Sequence, residues 1–76
     1  MKTYKLLDVV ALNHDLPDHD LRTGDLGTIV EVYDRSNFEI EFVEASGHTR
    51  ALLTLSSGDI RPVTSRDMLA VRTSAA

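Results

Sequence analysis

The chain has 76 residues, no Cys, no Trp, two Phe and two Tyr, and its 12 acids against 8 bases give a formal net charge of -4. A chain of this length builds one core and buries only about 60% of the surface its unfolded form exposes, which leaves little protein to wall off an active-site cleft of its own. Without cysteine there is neither a disulfide framework nor a thiolate metal site, as expected in a reducing compartment. Two lysines, Lys2 and Lys5, precede an apolar run that Asp8 interrupts and Asn13 ends. That run is too short for a secretory core or a spanning helix, so a cytoplasmic protein with no membrane segment is expected.

The segment Lys5 to Leu12, KLLDVVAL, is rich in apolar and β-branched residues and predicts a first strand. Asn13 to Thr23, NHDLPDHDLRT, carries Pro17 and four Asp or Asn with no apolar period, and predicts a long loop. GDLGTIVEVYD alternates from Leu26, with Leu26, Thr28, Val30 and Val32 assigned to one face and Ile29, Glu31 and Tyr33 to the other. Gly24 and Gly27 at its start suggest a left-handed turn and a bulge or tight bend. After the turn Asp34 to Asn37, Phe38, Ile40 and Phe42 alternate with Glu39 and Glu41, the second arm of a hairpin.

A turn at Ala45 to Gly47 leads to a strand that places Thr49, Ala51, Leu53 and Leu55 on one face. Ser56 to Asp59 predicts a tight turn or one turn of 3-10 helix. Ile60 to Val63 is a short last strand that Pro62 confines to an edge or an end. The expected architecture is all-β: residues 1–63 form a single SH3-like, strongly bent five-stranded antiparallel barrel with a long first loop. Residues 64–76 form a short tail, frayed or helical, in which Ser65 caps a turn carrying Met68, Leu69 and Arg72.

Two constellations bear on chemistry. His14, Asp15, Asp18, His19 and Asp20 fall within seven residues, and imidazole with carboxylate can ligate a divalent ion. Their spacing matches no metal motif, however, and a solvated turn whose Asp side chains accept from backbone amides accounts for the same residues. No nucleophile elbow, P-loop or HExxH helix occurs, and His48, at the entrance of the fourth strand, has no orienting acid and nucleophile in its motif. No catalytic residue, cofactor or metal is therefore assigned.

Charge is unevenly distributed. Between Asn13 and Gly47 nine acids face only Arg22 and Arg35, a segment charge of minus seven, and the remainder of the chain is plus three. One reading is ordinary solubility, with Glu31, Glu39 and Glu41 on a solvent face and loosely paired with Arg50. The other is an acidic docking face for a basic protein surface, formed by Asp15, Asp18, Asp20, Glu31, Glu39, Glu41 and Glu44.

The GDLGTIVEVY segment resembles the hairpin start of SH3-like barrels of the KOW type, several of which bind RNA or ribosomal protein, although phosphate binding needs the clustered Lys or Arg this region lacks. Over Leu6 to Val63, the L-D-V-V-A-L opening, the D-L-P loop, the G-D-x-G-T-I-V-E-V-Y hairpin start, the E-x-E-F-V strand and the final A-L-L-T-L together resemble a family of short bacterial proteins described as domain of unknown function 4926. The resemblance implies an SH3-like barrel. It also implies an antitoxin-like or immunity-like role, because members are often encoded beside a small toxin-like partner protein. A more distant resemblance, to the barrel at the end of the nitrile hydratase β chain, carries over nothing catalytic, since that enzyme's metal ligands belong to its other chain. The expected function is thus a non-enzymatic protein-binding module. The alternatives are a KOW-like nucleic-acid or ribosome accessory module, or a small regulatory subunit of a larger enzyme docking through an apolar patch at Leu6, Leu12 and Leu16. Self-association through the edge near Val63 or by exchange of the tail is also open.

Overall fold

The structure is a computed structural model that describes residues 3–44 and 46–69. Its five strands, β1 (Val9–Leu12), β2 (Leu26–Val32), β3 (Asn37–Val43), β4 (Thr49–Ser56) and β5 (Ile60–Pro62), form one antiparallel sheet in the order β4-β3-β2-β1-β5. Single 3-10 turns lie at Pro17–His19 and Ser57–Asp59, and one short helix, α1 (Ser65–Leu69), follows β5. The all-β expectation holds. The barrel is not closed, however: β4 and β5 end the sheet and do not pair with each other. A three-residue β5 offers little ladder, and Pro62 lacks the N–H that closure would use. The core nevertheless draws Val10, Leu12, Ile29, Phe38, Ile40, Phe42 and Ile60 from four strands into one cluster, with Ala51, Leu53 and Leu55 of β4 packed against it. With so little helix to cover it, the sheet folds over itself and supplies both sides of that cluster.

Bulges decide which side chains face inward. In β3 the expected alternation is realised, with Phe38, Ile40 and Phe42 buried. In β2 the alternation holds at first and the side of Ile29 faces inward: Gly27 and Ile29 are buried while Leu26 and Thr28 lie on the outer side. The register then slips between Ile29 and Glu31, so that Val32 pairs with Phe38 and Glu31 with Glu39. The extra residue, Val30, resets the period, which a strict alternation from Leu26 cannot anticipate. A second slip pairs Phe42 with Ala51 but Val43 with Thr49. It leaves Arg50 as the extra residue and turns Thr49 away from the face of Ala51, Leu53 and Leu55, where Thr49 donates to Glu41 Oε2 at 2.9 Å.

The first strand begins four residues later than its composition predicts. Lys5 to Asp8 make a turn, with Asp8 N–H donating to Lys5 O at 3.0 Å, and Leu7 has φ 72. Leu7 N–H donates to Ile29 O while Ile29 N–H donates to Asp8 O, so two residues oppose one. This is a bulge whose left-handed position ordinarily holds glycine. Leu7 is 70% exposed and is not among the side chains packed against the core. Leu7→Gly is therefore expected to stabilise the domain by about 0.5–1 kcal/mol, the removed left-handed strain less the added freedom of the unfolded chain. Urea unfolding of the two proteins measures it; a loss of stability would contradict the strain.

The long loop is partly built into the fold. Leu16 and Leu21 bridge to each other across the Pro17–His19 turn, and Leu21 is buried in the core. Leu12 is likewise fully buried and Leu16 packs against the core, so the apolar patch expected at Leu6, Leu12 and Leu16 reduces to Leu6. In the tail, Thr64 rather than Ser65 caps α1: Thr64 N–H donates to Asp67 Oδ2 at 2.8 Å and Asp67 N–H to Thr64 Oγ1 at 3.3 Å, a capping box. The side chains of Met68 and Leu69, together with Ala45, Arg72 and the other residues of 70–76, lie outside the described residues. Among the described residues no helix is long and apolar enough to cross a membrane.

Candidate functional site

The seven acidic candidates do not form one face. Glu31 and Glu39 are direct cross-strand partners on the outer side of β2 and β3, and Glu39 is opposite Thr54 on β4. Glu41, two positions along β3, shares that side. Hydroxyls fix these carboxylates: Tyr33 Oη and Thr54 Oγ1 donate to Glu39 Oε1 at 3.2 and 2.6 Å, and Thr49 donates to Glu41. Partial desolvation, and then the bond to Glu39, push the Tyr33 hydroxyl above its usual range. Among the described residues no ion pair reaches Glu31, Glu39 or Glu41. The loose pairing with Arg50 expected from the sequence is not made, because the β4 bulge aims Arg50 elsewhere. Next to the carboxylates a shallow groove of about 220 Å³ runs over Val9, Leu26, Thr28, Glu41 and Val43. Val9 and Val43 are half exposed in it.

Two acids of the long loop, Asp15 and Asp20, are engaged within the domain. Asp15 Oδ1 accepts from the N–H and hydroxyl of Thr23 at 2.8 and 2.9 Å, and these bonds hold its carboxyl below the usual range. Asp20, in the left-handed region at φ 54, pairs with Arg50. His14 bonds through Nε2 to Asp59 Oδ1 at 2.7 Å and through Nδ1 to the carbonyl of Asp15 at 3.0 Å. Both imidazole nitrogens thus face acceptors, an arrangement that favours the doubly protonated, cationic ring. The residues of the His-Asp loop are spread over separate partners, and among the described residues no three His, Asp or Glu side chains converge on a metal position. His48 lies near Ser46, with 3.3 Å between Ser46 Oγ and Nδ1, and among the described residues it pairs with no acid.

Sequence reading did not anticipate a larger cleft of about 360 Å³ between the end of the long loop, the β3–β4 bulge and α1. Four arginines, Arg22, Arg50, Arg61 and Arg66, line it, opposed by Asp25, Glu44 and Asp67. Arg61 is engaged end-on: its Nη1 and Nη2 donate to Asp67 Oδ2 and Oδ1 at 2.7 and 2.8 Å. That fork, together with the Thr64 donors, holds the Asp67 carboxyl far below its usual range and ties α1 to β5. Arg50 lies with Asp20 on one side and Glu44 on the other, the latter at 3.7 Å. Glu44 therefore belongs to this cleft as well as to the rim of the outer groove.

Residues 6–62 match the family model described as Domain of unknown function (DUF4926). The chain belongs to this family. No curated protein and no solved structure matches the chain. The DUF4926 region spans the acidic strip, Arg50 and the His14–Asp59 bond, and stops before Asp67, so the tie of α1 to Arg61 crosses its end.

The His14–Asp59 bond clasps the long loop of this DUF4926 domain to the β4–β5 turn, beside Asn13 N–H donating to Asp59 O at 2.8 Å. The bond to Asp59 raises the His14 pKa from 6.5, and the bond from His14 lowers that of Asp59 from 3.8. The His14 contribution is complete below pH 6.5 and is lost as pH rises through its folded value; that of Asp59 is complete above 3.8 and is lost as pH falls through its folded value. The clasp is thus strongest between those two ordinary values. NMR titration of the His14 ring should give a pKa above 6.5 that returns toward it in Asp59→Asn. A His14 pKa at or below that value in the unaltered protein would show the clasp is not formed.

Proposed function

We propose that this chain is a non-enzymatic protein-binding module, an antitoxin-like or immunity-like inhibitor of a protein encoded nearby, docking on a basic surface through the outer side of β2 and β3. The observation that carries this reading is the direct opposition of Glu31 and Glu39, with no cation paired to either among the described residues. Like charges placed opposite each other on a sheet cost up to about 1 kcal/mol. A cationic partner removes that cost, whereas solubility alone does not require the two to be adjacent. The strip borders the groove that exposes Val9 and Val43, giving an apolar centre with a charged rim, the usual layout of a protein interface. Asp18 adds an exposed charge on the loop, while Asp15, Asp20 and Glu44 are engaged within the domain.

The test is calorimetric titration against the product of the adjacent gene. Replacing Glu31, Glu39 and Glu41 together by Lys is expected to weaken binding at least about 100-fold, with the loss largest at low ionic strength where complementarity speeds encounter. Binding that survives the triple reversal removes the acidic strip as the docking surface. Retention on RNA or DNA that weakens with salt would instead support the nucleic-acid alternative.

A further inference from the structure

We infer that Arg50 is the centre of a carboxylate-binding site in the arginine-lined cleft, and that Asp20 occupies it as an exchangeable internal ligand. Three observations converge. Arg50 is the extra residue of the β3–β4 bulge, a device that re-aims a side chain out of the sheet's alternation, and here it delivers the guanidinium to the cleft. The guanidinium is mostly withdrawn from solvent, with the side chain 14% exposed. Its Nε is buried with no acceptor among the described residues. A buried N–H of a charged group without a partner is costly, and natural structures retain such groups where something else completes them.

The geometry names the missing chemistry. A guanidinium presents Nε and Nη2 as parallel donors that match the two oxygens of one carboxylate. In this domain Asp20 takes Nη2 and leaves Nε unmet, so only half of that edge is used. Asp20 is held from a single-turn 3-10 segment on the loop, and its side chain is 77% exposed, so displacing it disrupts no core packing. At Arg50, an incoming carboxylate that takes both donors replaces one charge-assisted bond by two. Nearby Glu44, at 3.7 Å from Nη1, places a second carboxylate charge on the opposite side of the guanidinium. Arg61 differs: Asp67 already holds its Nη1 and Nη2 as a fork, and among the described residues the buried unpartnered Nε is that of Arg50. The site therefore accepts one carboxylate on a body small enough for about 360 Å³. It uses residues other than the acidic strip and stands independently of the function proposed above.

The Arg50 Nε–Hε resonance gives a direct readout by heteronuclear NMR. Titrating the full chain with succinate against chloride at matched ionic strength should shift that resonance downfield with saturation. Asp20→Asn keeps a residue tolerant of the left-handed backbone and removes the competing charge, so its succinate affinity should rise by about two- to fivefold, the size of an exposed ion pair. Arg50→Lys, which cannot offer paired parallel donors, should lose at least about tenfold. No saturable shift beyond that caused by chloride overturns the inference, as does an affinity unaltered by Asp20→Asn. Inorganic phosphate is the comparison arm: a response to phosphate without one to succinate overturns the assignment to a carboxylate.

Discussion

Gly27→Ala is expected to destabilise the domain by about 3 kcal/mol, the upper part of the range for overpacking a core. A Cβ at this position would sit 2.6 Å from Ile40 Cγ2 and 2.8 Å from Phe42 Cε1. Neither neighbour can withdraw, because Ile40 and Phe42 are buried at 0% and 1% exposure. The glycine is required for space and not for a special backbone angle: Gly24 and Gly47 have positive φ and Gly27 does not. This distinguishes the position from the bulge or bend that its place at the start of a strand suggests. The same contact predicts coupling. In a Phe42→Leu background the shorter side chain vacates the ring edge, so Gly27→Ala should cost less there by about 1 kcal/mol or more. Chemical denaturation of the four proteins of the cycle measures both terms. Strict additivity would mean that the added methyl is accommodated elsewhere.

What the sequence made legible and what it did not divide along physical lines. Strand existence followed from side-chain chemistry: the β3 alternation of Phe38, Ile40 and Phe42 against Glu39 and Glu41 survives folding intact because the extra residues at its two register slips, Val30 and Arg50, lie in the neighbouring strands. Faces failed where a backbone irregularity intervened. Val30 and Arg50 are inserted residues whose side chains give no sign of it, and the left-handed residue of the first bulge is Leu7 rather than the glycine that would have announced it. The acidic strip was readable in part, since Glu39 and Glu41 share a strand, but its pairing with Glu31 depends on the Val30 slip. The arginine cleft was not readable, because Arg22, Arg50 and the Arg61–Arg66 segment are far apart in the chain and no local pattern announces that they meet. Two local signals were available. Ser56 and Asp59, and Thr64 and Asp67, each have the spacing of a capping box, and both boxes form.

Phe38→Ala is expected to remove about 3–5 kcal/mol, the usual cost of deleting a buried aromatic ring. Phe38 is 1% exposed, lies across from Val32 and Leu55 on the two flanking strands, and meets the Tyr4 ring edge-on at 5.7 Å. Elements that could collapse into the vacated space are few, because the sheet itself is both walls of the core. General per-residue stabilities give a chain of this size roughly 4–11 kcal/mol in all, so the variant should lie near or below the threshold for folding at 37 °C. Circular dichroism on heating would show a broad or absent transition, whereas Phe38→Leu should retain a cooperative one. The near-threshold variant also reports on binding. A partner that recognises only the folded sheet stabilises it by mass action, about 2.7 kcal/mol at 100 times the dissociation constant. Adding the neighbouring gene product should therefore restore the transition of Phe38→Ala and raise it further with concentration. It should fail to do so when Glu31, Glu39 and Glu41 are also reversed to Lys. Rescue that persists through the charge reversal would place the docking surface elsewhere on the barrel-like sheet, and absence of rescue in both would separate the stability of this domain from that partner.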